Sequence, residues 1–106
     1  MNNDQQKRVY LSGPMTGLPE YNFPAFNAAA EVLRGNGLDV VNPAEINGFD
    51  TPYIECLRKD IEALCRCDAI ALLPGWEKSN GAHLELHIAH RLGMEVMFVD
   101  VLEAAA

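Results

Sequence analysis

Basic residues are scarce in this chain. Eight Lys and Arg stand against fifteen Asp and Glu, for a net charge of −7. That imbalance argues against a surface for nucleic-acid polymers or anionic membranes, which are bound through dense positive charge. A small phosphorylated ligand is not excluded, because backbone amides at a helix N-terminus hold a phosphate without net positive charge. Cysteine is scarce too. Three thiols, two of them in a C-x-C at Cys65 and Cys67, are too few and too close for a disulfide framework. No second pair completes a zinc site, so they read as structural or incidental. No run approaches the roughly 18 apolar residues of a membrane span. The start, MNNDQQKR, is polar with no apolar stretch behind it, so no secretory signal is expected and a cytoplasmic location is.

What is present is ordinary globular material, 49% apolar and 22% charged, on 106 residues. That is one domain with a single core, residues 1–106, with 1–7 and 102–106 expected to fray. Residues 9–11 form a short β-prone run closed by Gly13 and Pro14. Asn22 has the character of an N-cap with Pro24 just inside the helix, and Gly35 and Gly37 mark its end. LDVV is a second strand stopped by NPAE, and a helix is predicted from about Pro52 to Cys65 with Ile54, Leu57, Ile61 and Leu64 as its apolar stripe. DAIALLPG, a continuous apolar run before a Pro-Gly stop, is the pattern of a strand buried on both faces. A third helix is predicted from about Asn80 to Leu92, then a strand at EVMFVD, with VLEAAA a closing helix or a frayed tail.

The order β-α-β-α-β-α-β predicts a parallel sheet flanked by helices with right-handed crossovers. In such sheets ligands bind beyond the carboxyl ends of the strands. Those ends carry SGPMTG, NPAE and PGWEKSNGA, whose Gly and small polar residues let backbone amides approach a ligand. Trp76, in the third of these loops, either stacks on a flat ligand or covers the sheet edge; its place beside the expected cleft favours the ligand.

One carboxylate stands out. Advancing 100° per residue from Glu85, Ala82, Ile88, Ala89 and Leu92 fall within about 60° of it, and His83, His87 and His90 fall opposite. An acid therefore occupies the stripe that packs inward. Placed early in the third helix, it is either a nucleophile or acid/base group, or a buried glutamate accepting hydrogen bonds from its own loop. Asp60 lies at the border of the second helix's stripe, near Cys56, Leu57 and Leu64. By periodicity alone it reads as a surface residue paired with Lys59 or Arg66. Asp68 opens the third strand at the far end of the sheet and reads as a structural cap. The three histidines read as an exposed face, since HLELH lacks the H-E-x-x-H order of a zinc helix. No metal and no cofactor are expected.

VYLSGPMTG, RKDIEALCRCDAIALLPGW and SNGAHLELHIAHRLG together resemble the nucleoside 2-deoxyribosyltransferase superfamily, and within it a small, often phage-associated branch beginning YISGPMTG. The resemblance runs from about Val9 to Val99. It implies a flavodoxin-like (Rossmann-like) α/β three-layer sandwich with a four- to five-stranded parallel sheet, and cleavage of an N-glycosidic bond. Glu85, in the G-x-x-x-E segment, is then the nucleophile that attacks the anomeric carbon. Asp60 contacts the base and assists its departure, and Tyr10 orients the nucleophile or the sugar. The resemblance also implies a homodimer or higher homo-oligomer and a small-molecule nucleoside or nucleotide as ligand.

The chain departs from the transferases at Ser79, where they carry an aspartate that accepts from the sugar's 5′-hydroxyl. A serine and adjacent amides donate to a 5′-phosphate instead, as in the related nucleotide N-glycoside hydrolases. Those hydrolases also have a Ser and an Arg after their first strand, where this chain has PMT. Ser12, Thr16 and the amides of Gly13 and Gly17 would have to supply the remaining phosphate contacts. Ser79 and Gly81 would bind the 5′ end, with Asn42 and Trp76 completing the candidate contacts. The expected activity is hydrolysis of a (deoxy)nucleoside 5′-monophosphate through Glu85. Base exchange by the same site, and a non-catalytic nucleotide-binding module, are the alternatives.

Overall fold

The computed structural model describes residues 7–100. Its sheet has four parallel strands, β1 (Arg8–Ser12), β2 (Asp39–Val41), β3 (Ala69–Leu72) and β4 (Glu95–Phe98), in the order β2-β1-β3-β4. Four helices connect them: α1 (Phe23–Gly35), α2 (Pro43–Ile46), α3 (Tyr53–Leu64) and α4 (Asn80–Arg91). The expected α/β class and parallel sheet are therefore present.

Alternation along the central strands sorts side chains into two layers. Val9, Leu11, Ala69, Ala71 and Leu73 point to one face and bury Phe26, Ala29, Ala30 and Leu33 of α1. Tyr10, Ile70 and Leu72 point to the other, against Leu64 of α3 and Ala89 of α4. Helices thus cover both faces, the three-layer sandwich. Because β3 lies inside the sheet with helices on both sides, all four of its residues are buried, as the unbroken apolar run requires.

Several local readings differ. Asn22 does not cap α1 with its side chain. It sits in the left-handed region (φ 61°), and its amide donates to the Pro14 carbonyl at 2.9 Å, tying the start of α1 to the loop after β1. Glu20 and Tyr21 are left-handed as well. Helix α2 was not foreseen; Asn42 caps it, accepting from the Ala44 amide at 3.0 Å. In α3 only Leu64 of the expected stripe is buried, and Ile54 is 59% exposed, because the first half of the helix borders a cavity rather than the sheet. Leu92 is exposed, lying just past the last turn of α4.

At the amino edge of the sheet, Asp68 accepts from the Arg8 amide at 2.9 Å, which is the structural role its position predicts. Lys7, assigned to a frayed terminus, is engaged: its carbonyl accepts from the Asp39 amide and its ammonium pairs with Glu95. The expectations for residues 1–6 and for the tail at 101–106 lie outside the described residues.

Candidate active site

A cavity of about 750 Å³ opens at the carboxyl ends of β1 and β3. Its walls come from the loop after β1, the segment around Asn47–Phe49, the inward side of α3, and the turn and first helical turn at residues 78–82. This is the switch region expected of a parallel sheet. At its floor lies Glu85, 7% exposed, on the buried stripe of α4 with Ala82 and Ala89.

Both carboxylate oxygens of Glu85 are held by hydroxyls of β1. Tyr10 Oη donates to Oε2 at 2.8 Å, and Ser12 Oγ donates to Oε1 at 2.5 Å. Tyr10 and Ser12 are two residues apart on one strand, so the pleat turns both toward α4. Burial pushes the Glu85 carboxyl up to about 7, with the Asp60 charge adding to it; the bonds from Ser12 and Tyr10 hold it back. The Tyr10 phenol is pushed well above its usual range by burial and then by Glu85 and Asp60, so it remains a donor.

Asp60 lines the same cavity from α3. It does not pair with Lys59, whose ammonium meets Glu55 at 3.3 Å. Its Oδ1 instead accepts from Asn47 Nδ2 at 2.8 Å. Burial raises its carboxyl and the Asn47 bond holds it back. The oxygen of that amide, Asn47 Oδ1, is buried with no hydrogen-bond partner.

The first turn of α4 completes the wall. Ser79 is its N-cap, accepting from the Ala82 amide at 3.1 Å, and Ser79, Asn80 and Gly81 all face the cavity. Lys78 stands beside them and is the cation among the described lining residues. Opposite, Tyr21, Phe23 and Phe49 form an aromatic wall, with Phe23 and Phe49 stacked at 4.8 Å.

Of the residues singled out in the sequence, Tyr10, Ser12, Gly13, Thr16, Asp60, Ser79, Gly81 and Glu85 are brought together around this cavity. Three are not. Asn42 is buried and spends its side chain on the Ala44 amide and on Asn27. Gly17 sits at a turn with φ +84° and no neighbour within 4 Å of a Cβ. Trp76 packs toward His83 and Phe98, covering the β4 edge rather than the cavity. Asn47, Lys78 and the aromatic wall were missed. Lys78 had a usable signal in its place just before the cap of α4, whereas Asn47 and Phe49 lie in a loop without periodicity.

The three cysteines are free. The Cys67 thiol donates to the Ala63 carbonyl and burial pushes it up to about 11, so it is a packing group at neutral pH. Among the described residues no cluster of His, Cys, Asp and Glu is arranged to hold a metal, and no helix is long and apolar enough to cross a membrane.

Two solved structures share this architecture. A 2-desoxiribosyltransferase from Leishmania mexicana matches with a TM-score of 0.69 at 24% identity, over 87% of this chain and 63% of its own. A CMP N-glycosidase from Clostridium botulinum matches with a TM-score of 0.59 at 23% identity, over 87% of this chain and 67% of its own. At these identities the likeness is one of fold, and the chain spans less than two thirds of the first. No curated protein matches the chain. The family model described as "Domain of unknown function (DUF4406)" matches residues 7–98, which takes in all four strands and the cavity; the chain belongs to that family.

Proposed function

We propose that the protein cleaves the N-glycosidic bond of a nucleoside 5′-monophosphate, with Glu85 as nucleophile and water as acceptor. One observation carries the reading: a buried glutamate on the inward stripe of α4 faces a nucleotide-sized cavity with both oxygens oriented, and a second carboxylate lines the same space. Two carboxylates with different surroundings are what retaining glycosidic chemistry uses. The fold shared with a 2-desoxiribosyltransferase and a CMP N-glycosidase supports it.

In the first step a Glu85 oxygen bonds to the anomeric carbon while the bond to the base nitrogen breaks, its electron pair leaving with the base. Asp60, the second carboxyl lining the cavity, delivers a proton to that base. In the second step water attacks the anomeric carbon and frees the Glu85 carboxylate, and the proton it sheds restores Asp60. Tyr10 orients Glu85. Ser79, Lys78, Thr16 and the amides of Asn80 and Gly81 form the polar end that receives the 5′-phosphate.

The test is a panel of ribo- and deoxyribonucleosides and their 5′-monophosphates, with and without a second free base, followed by chromatography of released base. Release from monophosphates is expected, falling by about three orders of magnitude or more in Glu85→Ala. Its kcat/KM rises with pH through about 7, as Glu85 ionises. Base exchange on unphosphorylated nucleosides would make the protein a transferase. Silence across the panel, with nucleotide still bound by Glu85→Gln, would make it a binding module.

A further inference from the structure

We propose that Ser12 is a positioning residue for Glu85, the second of two β1 hydroxyls that fix the carboxylate in one orientation toward the cavity. This rests on the reading of Glu85 as the reacting group, and it moves Ser12 from the phosphate contacts, where its sequence position had placed it, to the support of the nucleophile.

The geometry is specific. A glutamate has three side-chain torsions, and one hydrogen bond leaves its terminal group free to turn. Bonds to different oxygens, Tyr10 to Oε2 and Ser12 to Oε1, fix the plane of the carboxylate. Each oxygen keeps a second lone pair for a ligand. The two donors are themselves packed in. Tyr10 is fully buried and Ser12 is 1% exposed. Their backbones lie in the ladder between β1 and β3, with Tyr10 opposite Ile70, Ser12 opposite Leu72, and the Ser12 carbonyl accepting from the Leu73 amide at 2.8 Å. Donors on a central strand hold a site more closely than donors on a loop. The single proton of the Ser12 hydroxyl is donated to Glu85, so it cannot be donated to a phosphate at the same time.

Tyr10 from β1 and Asp60 from α3 act on the Glu85 carboxylate, and Tyr53 and Cys56 from α3, Tyr21 from the loop before α1 and Lys78 from the turn before α4 line the same cavity. Tyr10 and Ser12 favour the ionised carboxylate; Asp60 opposes it. Removing the Ser12 hydroxyl therefore has a direct signature in the titration of Glu85.

Carboxyl carbon NMR of the whole chain reads that titration, with Glu85 assigned by Glu85→Gln. In Ser12→Ala the Glu85 midpoint is expected to rise by about one pH unit or more, the loss of a hydrogen bond to a charged group. Ser12→Cys, a weaker donor in the same place, falls between. Tyr10→Phe shows the parallel rise from the other oxygen. Above the new midpoint, kcat for base release in Ser12→Ala stays below that of the unsubstituted protein while KM is little changed. An unmoved midpoint in a folded Ser12→Ala overturns the proposal. A moved midpoint in a protein that releases no base upholds the role of Ser12 and removes the glycosidase reading, so the two fail separately.

Discussion

Once ionised, Glu85 is an unfavourable residue for the folded state. Its carboxyl rises from an ordinary 4.5 in the open chain to about 7 in the fold, chiefly through burial. A group raised in this way contributes its full stability below pH 4.5 and loses it as pH climbs through 7. At 1.36 kcal/mol per unit the loss amounts to about 3 kcal/mol. Asp60 shifts in the same direction, so the comparison is with Glu85→Gln, which keeps every other group. Urea unfolding from pH 4.5 to 8 should show the unsubstituted protein losing about 3 kcal/mol relative to the Gln variant. A difference constant with pH would mean that Glu85 is solvated in the folded state. At this scale the sequence was legible where a period exposed an exception, an acid on the inward stripe of α4. It was not legible for Ser12, whose bond depends on how β1 registers against a helix 73 positions later. Asp60 was misread by spacing alone, because its partner Asn47 lies in an aperiodic loop.

The loop after β1 is held by a close approach that its letters do not advertise. A Cβ built on Gly13 would lie 2.9 Å from the Cβ of Leu73, at the end of β3, and 3.6 Å from the ring of Phe26 on α1. Leu73 is fully buried and its Cβ is too near the backbone to swing aside. Gly13→Ala should therefore destabilise by about 1–3 kcal/mol, the cost of overpacking a filled core. It should also lower base release by shifting the segment that carries Ser12 and Thr16. Denaturation midpoints and kinetics measured together check this; full stability in Gly13→Ala would show that β1 and β3 separate easily at this end. Elements whose faces are uniformly buried could be read in advance, β3 most clearly. Helix α3 could not. Its apolar spacing predicts a packed stripe, yet its first half faces the cavity and leaves Ile54 in solvent. Periodicity reports which residues share a face, not whether that face meets a sheet or a ligand. Likewise Asn22 and Asn42 both have the composition of caps, and only Asn42 is one, because the left-handed turn before α1 sends the Asn22 amide to Pro14.

For the molecule as a whole, the charge and the proposed substrate pull in opposite directions. A net charge of −7 sets up a field that repels a phosphate dianion at long range. The attraction that brings the phosphate in is local, from Lys78 and the amides at the start of α4. Salt acts unequally on the two. At 0.15 M the screening length is about 8 Å, so the distant carboxylates fade while contacts inside the cavity keep most of their strength. Raising ionic strength from about 0.01 to 0.15 M should accordingly increase kcat/KM for a 5′-monophosphate severalfold and leave the matching nucleoside unchanged. Lys78→Met should lower kcat/KM for the monophosphate by about tenfold, the loss of one charge-assisted contact, and leave the nucleoside unaffected. A monophosphate rate that falls with salt would mean that the local cluster, not the net charge, governs approach. The cavity would then act as a positive mouth on a negative surface, and Lys78→Met should flatten that salt dependence.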